Sequence, residues 1–487
     1  MEQLSSTDAA YIYAENPKRP MHVTTMTIYD PSTAPQGKVR LKEIMGLFER
    51  AVYSVPMFRQ RLMEVPMGLD EPYWVEDPDF DIEYHVRHVA LPKPGVWRQL
   101  YIQIARINAR RLDRSRPLWE VYVIEGLNHL DGVPAQSFAV VIKLHYAAFN
   151  SDALRSLFRA IHTTEPEAPP GDEHLNRTLY RDVRRGNLPL LYSAWQHNVK
   201  RSIGAGRVMG DLWRGYRGLR RSKAKGDMQL PHEVPPTRFN APLSPHRMVT
   251  SFAIPLDRAT ALKEAVSDIT LNELVLCVIA GAMRHYLHAK AELPDDAMIA
   301  QATFRVRVED NGPRREGKKE TAVNISLCSD IADPEERLYA IHDEATQLGR
   351  YLKARGEHLV EDLSDAMHPL LSRGVERYRE RLGSLPMVPH LYPPYANTLV
   401  RNLPGPRDTV FLCGAQNVTS MGFAPCLPRV GLSQTITATA SQLVIAVNVD
   451  RKIMPDPEYY QECLRNSWQE TEQALEHRLQ RQKNVSA

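Results

Sequence analysis

Residues 137–145 read SFAVVIKLH, a nearly unbroken apolar run of strand length. A strand with one wet face alternates polar and apolar side chains, so a run of this kind predicts a strand covered on both faces. Such a strand needs layers above and below it, and the flanking sequence supplies candidates. Residues 42–51 and 98–111 carry helical spacing, residues 119–125 (WEVYVIE) read as a strand, and TEPEAPPGDE at 164–173 closes the stretch with a loop. A second unit begins near Val249. It shows helical patterns at 271–288, 334–353 and 457–482, and strand patterns at 321–330, 397–402, 433–440 and 443–449. Strands interspersed with helices in both halves predict an α/β fold of mixed-sheet α+β layers.

The longest apolar stretch, 274–283 (LVLCVIAGAM), is half of what a bilayer span requires and reads as a buried helix. No secretory apolar segment follows Met1, so a cytoplasmic location is expected. The five cysteines make no CxxC or Cys/His pattern, and the pairs His85/His88 and His285/His288 lack acidic or thiol companions. Neither a disulfide framework nor a metal site is therefore expected. GAGRVMG at 204–210 lacks the spacing and preceding strand of a dinucleotide site.

Charge is unevenly placed. Between positions 177 and 225, thirteen Lys or Arg stand against Asp182 and Asp211, a local charge of +11 in a chain whose total is +3. Within this stretch Leu188, Leu191, Tyr192, Trp195 and Val199, then Met209, Leu212, Trp213, Tyr216 and Leu219, recur at helical spacing. Two readings fit: a linker helix with solvated arginines, or an amphipathic helix lying on an anionic membrane or lipid-droplet surface. No nucleic-acid fold signature accompanies the basic stretch, so nucleic acid is not expected as a partner. The proline-rich 231–246 then reads as an extended linker. The division expected is an amino-terminal lobe over 1–175, a basic connecting segment over 176–246 and a carboxy-terminal lobe over 247–487.

The 137–145 strand runs into His145-Tyr146-Ala147-Ala148-Phe149-Asn150-Ser151, and upstream stands Pro117-Leu118-Trp119-Glu120. Together these resemble the HHxxxDG and PLWE motifs of the wax ester synthase/diacylglycerol acyltransferases. Other landmarks follow in order: PMHV at 20–23, FRQRL at 58–62, WVEDP at 74–78, LPKPG at 91–95, LNELVL at 271–276, IADPEERL at 331–338 and NLPGP at 402–406. The resemblance implies two chloramphenicol-acetyltransferase-like lobes with an inter-lobe tunnel. It implies transfer of an acyl group from acyl-CoA, a substrate rather than a cofactor, to a long-chain alcohol or diacylglycerol. It also carries Trp119, Asn272 (at the start of the family's NDVVL segment) and Arg307 (last in its PVSVR motif) over as substrate-binding positions.

In that family the second histidine of HHxxxDG takes the proton of the attacking alcohol. Here the motif positions hold His145, Tyr146, Asn150 and Ser151, so a phenol, an amide and a hydroxymethyl replace His, Asp and Gly. A tyrosine, with an ordinary pKa of about 10, holds its proton near neutrality. If the strand stays extended, His145 faces with Lys143 and Val141, and Tyr146 with Leu144 and Ile142. His145 is then either a substitute base or a buried structural histidine. Tyr146 either fills the imidazole's space or donates to the thioester oxygen, and Asn150 or Ser151 suits a helix N-cap. Two functions stay open: an acyltransferase, or a catalytically silent relative that binds acyl chains or acyl-CoA or partners an active paralogue.

Overall fold

The computed structural model describes residues 1–148, 151–166, 189–199, 233–266, 269–306, 319–355, 374, 378 and 394–486. In chain order the elements begin with β1 (Glu2–Gln3), α1 (Ser6–Ala14), β2 (His22–Asp30), α2 (Leu41–Ser54), β3 (Gln60–Met63), β4 (Tyr73–Glu76) and α3 (Ile82–His85). There follow β5 (Val86–Ala90), α4 (Trp97–Ala109), β6 (Trp119–Leu127), β7 (Ser137–His145), α5 (Ser151–Ile161) and α6 (189–199). The remainder holds β8 (Arg247–Pro255), α7 (Leu256–Ala265), α8 (Leu271–Ala289), β9 (Ile299–Val306), β10 (Lys319–Ser326), α9 (Pro334–Arg355) and β11 (Thr398–Pro404). It ends with β12 (Phe411–Leu412), β13 (Ala415–Phe423), β14 (Leu432–Ala438), β15 (Gln442–Asp450) and α10 (Pro457–Ser486).

Two compact units result. The first contains a six-stranded sheet in the order β12-β13-β2-β7-β6-β5 and a small sheet β1-β4-β3. β7 lies near its middle, antiparallel to both β2 and β6, and all nine of its residues are buried. This is the doubly covered strand that the apolar run predicts. β5 pairs parallel with β6, so the sheet is mixed.

The second unit is built on the sheet β10-β9-β11-β14-β15-β8, in which β11 runs parallel to both β9 and β14 while the outer pairs are antiparallel. Its core helix is α8. Thr270 and Glu273 cap its start reciprocally, and the apolar 274–283 run is buried throughout, as expected from its length. Against it packs α10, whose Tyr460, Cys463, Leu464, Trp468 and Leu475 recur on one helical face of the core. Gly281 is the point of closest approach: a Cβ there would sit 2.2 Å from Ser467 Oγ.

The unit boundaries differ from those read in the sequence. Residues 233–246 belong to the second unit, so the described part of this stretch is not a free linker. Asn240 donates its side-chain amide to the carbonyls of Ala396 and Arg429, each at 2.8 Å, and Ser244 donates its backbone N–H and hydroxyl to Asp450. Conversely, Asp408–Ser420 joins the first unit, because β13 extends that unit's sheet beside β2. Thr33 seals this join, its hydroxyl donating to Gly414 O at 2.7 Å and accepting from Gln416 N at 3.1 Å.

Candidate active site

The end of β7 is held from three sides. His145 N donates to Leu118 O at 3.0 Å, Tyr146 N donates to Met21 O at 2.9 Å, and His22 lies opposite His145 in the β2 register. Beyond His145 the chain turns through a short 3-10 segment, Tyr146–Ala148, whose two alanines pack with Ala9 and Ile12 of α1. Alanine is the side chain that lets this turn sit so close to a helix.

His145 is fully buried. Its Nδ1 accepts the backbone N–H of Ala147 at 3.0 Å, which in a neutral imidazole leaves the ring proton on Nε2. Nε2 is 3.7 Å from Glu15 Oε1 and has no hydrogen-bond partner among the described residues. Burial, reinforced by the cations of Arg114 and Lys143, pushes the imidazole down to about 3. Glu15 does not counter this, because its carboxylate is occupied by Arg114, whose Nε and NH2 donate to Oε2 at 3.1 and 2.8 Å. Arg114 also donates to Ile12 O at 2.8 Å, tying the loop after α4 to the end of α1. His145 is therefore a neutral histidine whose only lone pair is already bonded to the backbone. That geometry leaves no nitrogen able to take a proton.

Tyr146 is half-buried, its ring tilted against Tyr11 with centroids 5.2 Å apart. Lys143 shares the face of His145, since both meet groups around Glu15, Arg110 and Glu120, in keeping with strand alternation. Trp119 is enclosed. Its indole stacks on His85 at 4.3 Å, meets Phe58 edge-on, and donates Nε1–H to Phe58 O at 2.7 Å. The ring and its one polar atom are thus engaged by His85 and Phe58 within the first unit. Asn272 is exposed in the first turn of α8, within the second unit. Asn150 and Arg307 lie outside the described residues, as does most of 177–225. Ser151 opens α5. Among the described residues no group of three or more His, Cys, Asp or Glu gathers to hold a metal.

Sequence reading missed Glu15 and Arg114 as neighbours of His145. They stand 130 and 31 positions away from it, in segments with no catalytic pattern of their own, and only the tertiary fold joins them.

Comparison with known proteins places this geometry. The wax ester synthase/diacylglycerol acyltransferase catalytic domain matches residues 4–275, and the C-terminal domain of the same family matches residues 317–472. A Mycobacterium tuberculosis protein named "Putative diacyglycerol O-acyltransferase" is 30% identical over 484 residues, 97% of this chain and 100% of its own. Another of that name from the same species is 28% identical over 464 residues, covering 94% and 87%. Among solved structures, the wax ester synthase/diacylglycerol acyltransferase of Marinobacter aquaeolei VT8 superposes with a TM-score of 0.68 at 22% identity, covering 98% of this chain and all of that one. A trichothecene 15-O-acetyltransferase of Fusarium sporotrichioides shares the fold more distantly, with a TM-score of 0.54 at 11% identity over 97% of this chain and 94% of its own. With a family match spanning more than half of the sequence and both of its domains present in order, the chain belongs to the wax ester synthase/diacylglycerol acyltransferase family.

Proposed function

We propose that this protein transfers the acyl group of acyl-CoA to a long-chain alcohol or to diacylglycerol, giving a wax ester or triacylglycerol and free CoA. The observation that supports this reading is the family match of both domains, catalytic and C-terminal, along one chain. In the reaction the hydroxyl oxygen bonds to the thioester carbonyl carbon, the C–S bond breaks, and the hydroxyl proton ends on the CoA sulfur. A base near the hydroxyl typically accelerates such a step by about 10²–10⁴-fold. Here the locked ring of His145 and the phenol at Tyr146 supply none, so turnover is expected to be slow.

The same geometry favours a second reading, a relative that binds acyl-CoA or acyl chains without turning them over. Thiol release from acyl-CoA, measured with fatty alcohols and diacylglycerols of several chain lengths, separates the two. CoA released only in the presence of an acceptor, with ester formed in equal amount, supports the transferase. Release equal to buffer across all chain lengths, with a fluorescent acyl-CoA still bound, overturns it in favour of the silent binder.

The lipid-surface reading of the basic stretch belongs with this proposal. α6 docks through Leu190 and Ala194 onto Val65, Tyr73 and Val75, and His197 pairs with Asp70 at 2.7 Å. Its other face presents Tyr192 and Trp195, which are 61% and 62% exposed and stacked at 6.2 Å. Exposed aromatics within a stretch of charge +11 suit an anionic interface. No helix among the described residues is long and apolar enough to cross a membrane. Flotation with phosphatidylglycerol vesicles should weaken with salt and with Trp195→Ala; binding insensitive to both would return the segment to the linker reading.

A further inference from the structure

The loop after α4 turns a strip of arginines onto a cavity of about 530 Å³ within the first unit, a volume in the range of small-ligand sites. Arg87, Arg110, Arg111 and Arg114 line it. Two of them are held by carboxylates also at the wall: Arg87 NH2 lies 3.1 Å from Glu120 Oε1, and Arg114 NH2 2.8 Å from Glu15 Oε2. The third carboxylate at the wall, Asp113, is engaged by its own loop and by Tyr84. It accepts from Ser115 N at 2.9 Å, Ser115 Oγ at 2.8 Å and the Tyr84 hydroxyl at 3.3 Å.

Arg110 and Arg111 remain. Both are exposed, and neither forms an ion pair among the described residues. Behind them lies a further cation, Lys143, fully buried, which donates to Arg110 O at 2.5 Å and stands 3.8 Å from Glu120 Oε2. Four arginines thus line the wall with three carboxylates, all three already engaged, and Lys143 behind the wall makes five cations against three anions. Crowding cations around a concavity costs Coulomb energy unless an anion enters, and low-dielectric walls focus that field into the cavity. Burial draws Lys143 down to about 8, which still leaves it mostly protonated at neutral pH. The excess of two positive charges matches a dianionic phosphate better than a singly charged carboxylate. Adjacent guanidinium forks also present paired donors to phosphate oxygens.

We propose that this cavity binds a phosphate ester, gripped at its mouth by Arg110 and Arg111. The cavity adjoins the strand-end turn through Glu15 and Arg114, but the proposal does not rest on acyl transfer. The phosphate has two natural sources of the same chemistry, a soluble nucleotide such as CoA or a phospholipid headgroup.

The test uses the full chain and three probes: inorganic pyrophosphate, CoA, and phosphatidylglycerol vesicles with phosphatidylcholine vesicles as control. Phenylglyoxal labels accessible arginines, and peptide mapping reads each position. Protection of Arg110 and Arg111 by at least one probe supports the site, and the probe that protects best identifies the source. Protection by none overturns it. In parallel, the double variant Arg110→Gln/Arg111→Gln should weaken binding of the protecting probe by at least about tenfold, the scale of losing charge-assisted hydrogen bonds. Both side chains are exposed, so circular dichroism should be unchanged. Equal binding by a folded double variant would also overturn the proposal, and if that variant fails to fold, protection in the unaltered protein decides.

Discussion

His145 and Glu15 are both sealed from solvent, yet their facing atoms stand 3.7 Å apart, beyond hydrogen-bond reach. The carboxylate therefore anchors Arg114 instead of orienting the imidazole, and the imidazole is fixed by the backbone of Ala147. A histidine held in this way braces the turn. The chemistry of the turn is left to the residue that follows it.

If turnover is limited by the missing base, Tyr146→His should raise acceptor-dependent CoA release by about 10²-fold, the lower end of what a general base contributes. Initial rates with saturating acyl-CoA measure this. A well-folded variant no faster than the parent would place the deficit elsewhere.

Acid should unfold the protein earlier than its carboxylates alone would require. Burial pushes His145 down to about 3 and His162 down to about 4, and it lowers His85 as well. The unfolded chain binds these protons near pH 6.5, so the stabilising contribution is complete above that value. It is lost as pH falls from 6.5 toward the folded values, at up to about 1.4 kcal/mol per pH unit for each such histidine. Melting temperatures between pH 7 and 4.5 should fall steeply, and less steeply in His162→Gln. Parallel profiles for the two proteins would contradict the assignment.

Arg114→Ala removes the partner of a buried carboxylate, with its two hydrogen bonds, and a third bond to Ile12 O that ties the loop to α1. Arg114 is itself one-third exposed, which puts the expected loss at the low end for a broken buried pair, about 3 kcal/mol in chemical denaturation. Glu15→Gln in the same chain should recover part of it. A loss under 0.5 kcal/mol would mean that water replaces the guanidinium freely.

Trp119→Phe keeps the ring packing but deletes the donor to Phe58 O. Stability should drop by about 1–3 kcal/mol from the orphaned buried carbonyl and the smaller ring. KM for acyl-CoA should stay unchanged. A raised KM with intact stability would instead make Trp119 a substrate contact.

Much of the fold was legible wherever burial writes a simple pattern. β7 matches the apolar 137–145 run residue for residue, and the 274–283 run is the buried heart of α8. α4, α9 and α10 begin within a residue of where periodicity places them. Strands of mixed character escaped notice. β13, AQNVTSMGF, has too many polar residues for an apolar run, and its membership in the first unit's sheet depends on hydrogen bonds to a strand nearly 400 positions earlier. The candidate site divides in the same way. The motif located the turn at Tyr146, because strand-end turns leave a local signature. The state of His145 rests on Ala147, Glu15, Arg114 and Lys143 acting together, and no spacing rule brings those four residues to one ring.

The strand borrowed by the first sheet also sets an order of events during synthesis. β2 is ready for pairing once β7 has emerged, but the neighbour on its other side, β13, is translated only after some 270 further residues. Through that interval an open strand edge waits on the nascent chain, a template for wrong partners. A gene cut at residue 246 would make this interval permanent, so the amino-terminal half alone should precipitate unless residues 408–423 are supplied as a peptide.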